Sequence, residues 1–278
     1  MYISIDLGRS TTRVASTNNL KDISEIEKFP TENRLDNQKN KLVQVLEDIS
    51  RGNEVDAISF GFPGITGGLK NIVLRSANYP QMEGMDISSF FPEKFKDIKL
   101  LIENDAALGA LGEAYFGAGR DKKIVSYLTL STGVGGARVV KYEIEYEVIN
   151  AEPGHMIINC SDELVDGSGL PGTFESYCAG SYFKNRYNEN PNGTADIEAW
   201  KKYSANLSFG ILNIISMWKP EVIVLGGGLS IHNFNIFYPL LMDELKKQTF
   251  FDIPEIRKSQ MGDDSGIYGG FILLKENL

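Results

Sequence analysis

Residues 124–140 read IVSYLTLSTGVGGARVV: an apolar strand, a turn of glycines and hydroxyls, and a second apolar strand. In that turn Thr132, Gly133, Gly135 and Gly136 offer hydroxyl and backbone N–H donors that can cradle phosphate oxygens. A glycine bulge in a bent strand is the other reading. The same design opens the chain, where YISIDLGRSTTRVAS (2–16) gives strand, turn and strand. There Asp6 stands at a strand end, Gly8 lets the backbone approach closely, and Arg9, Ser10 and Thr11 surround it. An ordinary β-turn would also account for these residues. A third glycine site is VIVLGGGLS (222–230), a buried strand ending in Gly226, Gly227 and Gly228. Three glycines leave a surface without side chains on which an adenine or ribose can lie, whereas one would suffice for a strand-to-helix turn. None of the three is a Walker loop or a G-x-G-x-x-G opening a helix.

Working outward, strands alternate with helices, which favours an α/β fold. Leu42, Val45, Leu46 and Ile49 recur at helical spacing and predict an amphipathic helix over 36–51. VDAISFGFPG and IKLLIEND read as strands, and a helix is expected over 106–116. A long helix is expected over 200–218, another over 235–247 and a last one over 264–276. The segment 185–194 reads as a polar loop. The repeated hairpin divides the chain into two expected lobes, 1–116 with 264–278, and 117–263.

Composition sets outer bounds. With 278 residues, 42% hydrophobic and 23% charged, the chain is an ordinary globular one. It can bury roughly three quarters of its unfolded surface, so it needs no disulfide or metal to fold. A net charge of −9 argues against a nucleic-acid partner, which requires a basic face. Two cysteines, Cys160 and Cys178, suggest free thiols in a reducing compartment. Met1 leads directly into a strand and no apolar run reaches the ~20 residues of a membrane helix, so a cytoplasmic protein with no membrane partner is expected.

The stretch LLIENDAALGALGEA (100–114) runs an apolar strand into Glu-Asn-Asp and then into small residues. Open α/β sheets bind ligands at the carboxyl ends of their strands. Asp105 at such an end, backed by Ala106, Ala107 and Gly109, is placed for proton chemistry beside a ligand. Its plainer role would be to cap the helix behind it. Asn104 beside it can donate and accept toward ring hydroxyls.

The hairpins, their order and the late glycine strand mark the two-lobed actin/Hsp70/sugar-kinase (ribonuclease H-like) superfold, in which a nucleotide cleft lies between the lobes. Within it the chain resembles the ROK family (repressors, open reading frames and kinases) over nearly its whole length. The residues that carry the resemblance are DLGRSTTR, GFPG (61–64), END with AALGALGEA, LSTGVGGA, EPGH (152–155), GSGLPGTFE (167–175), LGGG and GDDSGIYGG (262–270).

The resemblance implies an ATP-dependent hexose kinase with Asp105 as general base. It places sugar contacts at Gly64, Asn78, Asn104, Glu152, His155 and Glu175. Nucleotide contacts fall at Asp6, Gly8, Arg9, Ser10, Thr11, Thr132, Gly133, Gly135 and Gly226–Gly228. Asp6 would hold Mg²⁺ through water, since that ion keeps much of its hydration shell. Glucose is the expected substrate, with N-acetylmannosamine or N-acetylglucosamine as rivals. A non-catalytic sugar sensor and a kinase acting on a carboxylate are the other readings. A homodimer is implied as well.

The chain also departs from the family. Where many members carry Cys-x-Cys-Gly-x-x-Gly-Cys-x-Glu, this chain has DGSGLPGTFE (166–175), with Asp166, Ser168 and Thr173 at the cysteine positions. Zinc needs deprotonated sulfur or nitrogen ligands in tetrahedral array, so no structural zinc is expected. Arg9 stands where the family usually has glycine. The first hairpin begins at residue 6, and no DNA-reading domain is expected before it.

Overall fold

The structure, a computed structural model, describes residues 1–67, 71–76, 79–95, 98–141, 146–161, 163–191 and 196–278. In chain order the elements are β1 (Tyr2–Leu7), β2 (Thr11–Thr17), β3 (Glu27–Pro30), α1 (Leu35–Ser50), β4 (Ala57–Phe62), β5 (Ile65–Thr66), β6 (Val73–Arg75) and β7 (Lys99–Asn104). There follow α2 (Asp105–Tyr115), β8 (Ile124–Leu130), β9 (Val134–Lys141), β10 (Tyr146–Ala151), α3 (Phe174–Cys178), α4 (Gly180–Tyr187) and α5 (Ile197–Trp218). The chain closes with β11 (Val222–Gly226), α6 (Gly228–Gln248), β12 (Glu255–Lys258) and α7 (Ser265–Asn277). Two compact units result, Met1–Gly112 with Asp264–Leu278, and Glu113–Asp263.

Each unit is built on a five-stranded sheet of the same topology. The first has the order β3-β2-β1-β4-β7 and the second β10-β9-β8-β11-β12. In both, a glycine-turned hairpin supplies an antiparallel pair, a third strand adds antiparallel at one edge, and two strands add parallel at the other. The repeat expected from the hairpins therefore extends through the whole of each sheet.

In the first unit Ile3, Ile5, Leu7, Phe60 and Phe62 are buried with Leu42, Val45 and Leu46 of α1. Ala15 and Ala57 pack instead with Ile267, Phe271 and Leu274 of α7. The small face of α2 has its explanation here. A Cβ at Gly112 would lie 2.0 Å from the Ser265 carbonyl oxygen, and one at Gly269 would lie 1.8 Å from that of Leu108. Glycine at both positions lets the backbones of α2 and α7 touch, and no larger residue fits.

The second unit buries Phe183, Trp200, Tyr203 and Phe237, with ring centroids 4.9 Å apart for Phe183–Trp200 and 5.4 Å for Trp200–Tyr203. A carboxylate lies within this unit too. Glu113 is fully buried and accepts hydrogen bonds from Ser259 Oγ and from the N–H groups of Ala118, Gln260 and Met261. That number of donors satisfies a buried charge and ties α2 to the chain after β12.

Several expected elements are corrected. The segment 185–194 is not loop throughout, because α4 runs to Tyr187 and ends on Asn188 in the left-handed region at φ 57°. Residues 192–194 lie outside those described. The helix expected from 235 begins at Gly228, directly after the strand, and passes through Pro239. The long helix begins at Ile197, where Asp196 caps it by accepting from Glu198 N–H.

Candidate active site

In the first unit β7 delivers Asn104 and Asp105 to the start of α2. Asn104 Oδ1 accepts from the N–H groups of Ala106 at 2.9 Å and Ala107 at 3.2 Å, so Asn104 is the cap of the helix. Its amide Nδ2 donates to the Gly64 carbonyl oxygen at 3.3 Å, which joins two of the expected sugar contacts directly. Asn78 lies outside the described residues. Asp105 is half-buried, and its Oδ1 also accepts from Ala106 N–H at 2.9 Å. Oδ2 has no hydrogen-bond partner among the described residues. Desolvation by burial pushes the Asp105 carboxyl up to about 6, against the weaker opposing pull of the backbone N–H groups. A carboxylate so placed takes up and releases a proton near neutral pH.

The first hairpin turns at Gly8, Arg9 and Ser10. Its carbonyl oxygens are held from outside: Thr31 Oγ1 donates to Gly8 O at 2.7 Å and Thr31 N–H to Ser10 O at 3.1 Å. Arg9 and Ser10 are exposed and Thr11 is half-buried. Asp6 is buried and pairs across the ladder with Arg13, whose guanidinium lies 3.5 Å from its carboxylate. Arg13 also faces Asp264 at 3.7 Å, and Lys28 reaches the same carboxylate at 2.6 Å. This network fastens the hairpin to the start of α7.

The donor set around Asp6 is therefore one carboxylate with a cation beside it. No group of three or more His, Cys, Asp or Glu residues suited to a metal occurs among the described residues. One carboxylate fits a magnesium ion that arrives with a nucleotide and takes its other ligands from water and phosphate. It does not fit a resident metal.

In the second unit the turn Ser131–Gly133 joins β8 to β9, and Thr132, Gly133 and Gly135 are half-buried around it. Glu175, at the start of α3, sits against this turn, its Oε2 accepting from Val134 N–H at 2.9 Å. A Cβ at Gly133 would come within 2.6 Å of the same oxygen. Glu175 therefore supports the turn as well as facing its surroundings.

The EPGH segment forms a single 3-10 turn over Pro153–His155, with Glu152 half-buried ahead of it. His155 Nδ1 lies 3.1 Å from Asp166 Oδ2. Asp166 is buried and accepts at Oδ1 from Ser168 N–H (2.8 Å), Ser168 Oγ (2.6 Å) and Leu170 N–H (3.1 Å). Burial would raise its pKa, but these bonds, with one from the Thr173 hydroxyl, outweigh that and hold it at about 2. Thr173 is in turn the cap of α3, accepting from Ser176 N–H at 3.2 Å. Imidazole, one carboxylate and two hydroxyls do not make a zinc donor set, and the carboxylate oxygens are already taken up by hydrogen bonds.

The glycines after β11 differ in what they touch. A Cβ at Gly226 would meet the Tyr127 hydroxyl at 2.4 Å. Gly227 has φ 82° and would meet Leu130 O at 2.5 Å. Gly228 has nothing within 4 Å and opens the first turn of α6. His232, farther along α6, is exposed.

Sequence reasoning missed Arg13 and the organising role of Asp166. Arg13 was within reach of a register argument, because Leu7 pairs with Thr12 and so puts Asp6 opposite Arg13 on one face of the ladder. Asp166 carried a weaker signal, an acidic residue followed by serine and glycine in a loop.

Two sheets of one topology, each opened by a glycine hairpin, define the actin/Hsp70/sugar-kinase class of fold. Within that class the chain belongs to the ROK family, whose model matches residues 2–277. It is 23% identical to a glucokinase of Thermotoga maritima, with 99% of this chain and 98% of that protein covered. It is 27% identical to an N-acetyl-D-glucosamine kinase of Aliivibrio salmonicida, covering 98% of this chain and 99% of that one. The structure of a ROK family glucokinase from Streptomyces griseus in complex with glucose and AMPPNP superposes with a TM-score of 0.79 at 20% identity, covering 98% of each chain.

Proposed function

We propose that this protein is an ATP-dependent sugar kinase that transfers the γ-phosphate of ATP to a hydroxyl of glucose or a similar hexose, with Asp105 as general base. The observation that carries the reading is the state of Asp105. Its carboxyl is raised to about 6, its cap role is taken by Asn104, and one of its oxygens has no partner among the described residues. In phosphoryl transfer the attacking hydroxyl must lose its proton as the bond to phosphorus forms, and a positioned carboxylate accepts it. Asp105 Oδ2 takes that proton and later releases it to water. Gly64 and Asn104 position sugar hydroxyls on the Asp105 side, and Glu152, His155 and Glu175 bind hydroxyls in the second unit. Gly8, Ser10, Thr11, Thr132, Gly133 and Gly135 give donors to phosphate oxygens, with Arg9 adding positive charge. Gly226–Gly228 receive the adenosine. A Mg²⁺ ion bound with the nucleotide, near Asp6, supplies charge neutralisation on the phosphates.

The similarity to an N-acetyl-D-glucosamine kinase supports a second reading of the same chemistry, with an N-acetylhexosamine as acceptor. A sugar sensor without turnover has no use for a base raised toward neutrality. No helix among the described residues is long and apolar enough to cross a membrane. The family resemblance supports a homodimer.

The test is ADP release with ATP and Mg²⁺ against glucose, mannose, fructose, N-acetylglucosamine and N-acetylmannosamine. Turnover strongest with an unsubstituted hexose supports the first reading, and turnover strongest with an N-acetyl sugar supports the second. No sugar-dependent ADP release in protein that binds ATP overturns both.

A further inference from the structure

We propose that Asp166 is a positioning residue that fixes the tautomer of His155, so that its Nε2 presents a lone pair to a sugar hydroxyl. The inference rests on the reading of His155 as a sugar contact. Two observations carry it. First, the Asp166 side chain is fully buried and its Oδ2 lies 3.1 Å from His155 Nδ1. An ionised carboxylate is acceptor-only, so the proton of the neutral imidazole must sit on Nδ1, and Nε2 is left as acceptor. Second, Asp166 itself cannot turn away. Oδ1 is held by Ser168 N–H, Ser168 Oγ and Leu170 N–H, and the loop is closed by Asp166 N–H donating to Leu170 O at 2.9 Å.

The loop is tuned for this contact. Gly172 adopts φ 68°, and a Cβ there would lie 1.8 Å from the Asn159 carbonyl oxygen, so only glycine brings Thr173 into place. Ile158 N–H donates to Gly172 O at 2.9 Å and Phe174 N–H to Met156 O at 2.7 Å. These bonds stitch the segment carrying His155 to the segment carrying Thr173. Imidazole orientation by a second group is a general device in sites where one ring nitrogen must stay free.

The chain has only two histidines, so its imidazole ¹⁵N spectrum holds two sets of ring signals, and a His232→Gln variant assigns them. At pH 8 the wild-type protein is expected to show His155 with the proton on Nδ1. In Asp166→Asn the amide oxygen keeps the loop donors and its NH₂ faces the ring, so the proton moves to Nε2. Sugar KM is then expected to rise about tenfold, as for loss of one well-placed hydrogen bond, with the KM for ATP unchanged. Wild-type His155 protonated at Nε2 overturns the proposal, and that measurement does not depend on whether the variant folds. The expected tautomer shift with unchanged sugar KM leaves the positioning intact and removes His155 from the sugar site instead.

Discussion

Asn104, not Asp105, caps the helix that begins at Asp105. The Asn104 side-chain oxygen takes the N–H groups of Ala106 and Ala107, and the neighbouring carboxylate keeps an oxygen outside the cap. Because burial holds that carboxyl at about 6, Asp105 is ionised above that pH and protonated below it. For the sugar kinase, kcat/KM is therefore expected to fall about tenfold per pH unit below 6 and to level off above 7. A pH–rate profile flat down to pH 4.5 would remove Asp105 from the base role.

The raised pKa also has a stability consequence. An aspartate whose folded value exceeds its unfolded one destabilises the fold as pH rises from about 4 through 6, and the full cost remains at higher pH. Asp105→Asn is expected to gain on the order of 1–3 kcal/mol at pH 8, less the charge–helix attraction it gives up, and nothing below pH 4. Urea unfolding at both pH values checks this. Equal stability of the two proteins at pH 8 would mean that the carboxyl is not desolvated.

Asp166 has the opposite sign. Held at about 2, it contributes stability that is present above pH 4 and lost as pH falls through 2. Asp166→Ala removes the acceptor for Ser168 N–H, Ser168 Oγ and Leu170 N–H and is expected to cost about 1–3 kcal/mol at pH 7. Thermal unfolding reads the loss. A change below 0.5 kcal/mol would show that water replaces the carboxylate.

The three glycines after β11 should separate on substitution. Gly227→Ala forces a side chain into φ 82° against Leu130 O and is expected to cost about 1–3 kcal/mol of stability. Gly228→Ala meets open space, so folding should be unaffected while the KM for ATP rises. Unchanged nucleotide affinity in a folded Gly228→Ala protein would take the adenosine away from this surface.

Glu152→Gln is expected to weaken sugar binding, because an acceptor for two hydroxyls becomes a group that also donates. A calorimetric titration reads the change. Unchanged affinity would place Glu152 outside the sugar site.

Much of the fold was legible because its determinants are local. The hairpins of β1–β2 and β8–β9, the apolar strands β4, β7 and β11 and the face of α1 all carry a period that propensity rules can read. What escaped is the outer strands and the short helices. β3 (EKFP) and β12 (EIRK) are edge strands with charged exposed positions, and pairing with a neighbour rather than their own pattern makes them strands. α3 and α4 are short and divided at Ala179, whose extended backbone ends one and precedes the other. In the site, the residue types were readable but their pairings were not. Asn104 was expected to face a sugar, and its cap role depends on the chain entering α2 directly from β7. The His155–Asp166 contact joins residues eleven apart through a loop whose path no periodicity encodes.

The central claim is that Asp105 takes the proton in a sugar-directed phosphoryl transfer. The most direct measurement is phosphate transfer from γ-labelled ATP to the preferred sugar by the wild-type protein and Asp105→Ala, with sugar affinity measured by calorimetry on both. Loss of transfer by a factor of about 10² or more with sugar affinity largely kept is the result the account predicts. Transfer at the wild-type rate by the folded variant would contradict it.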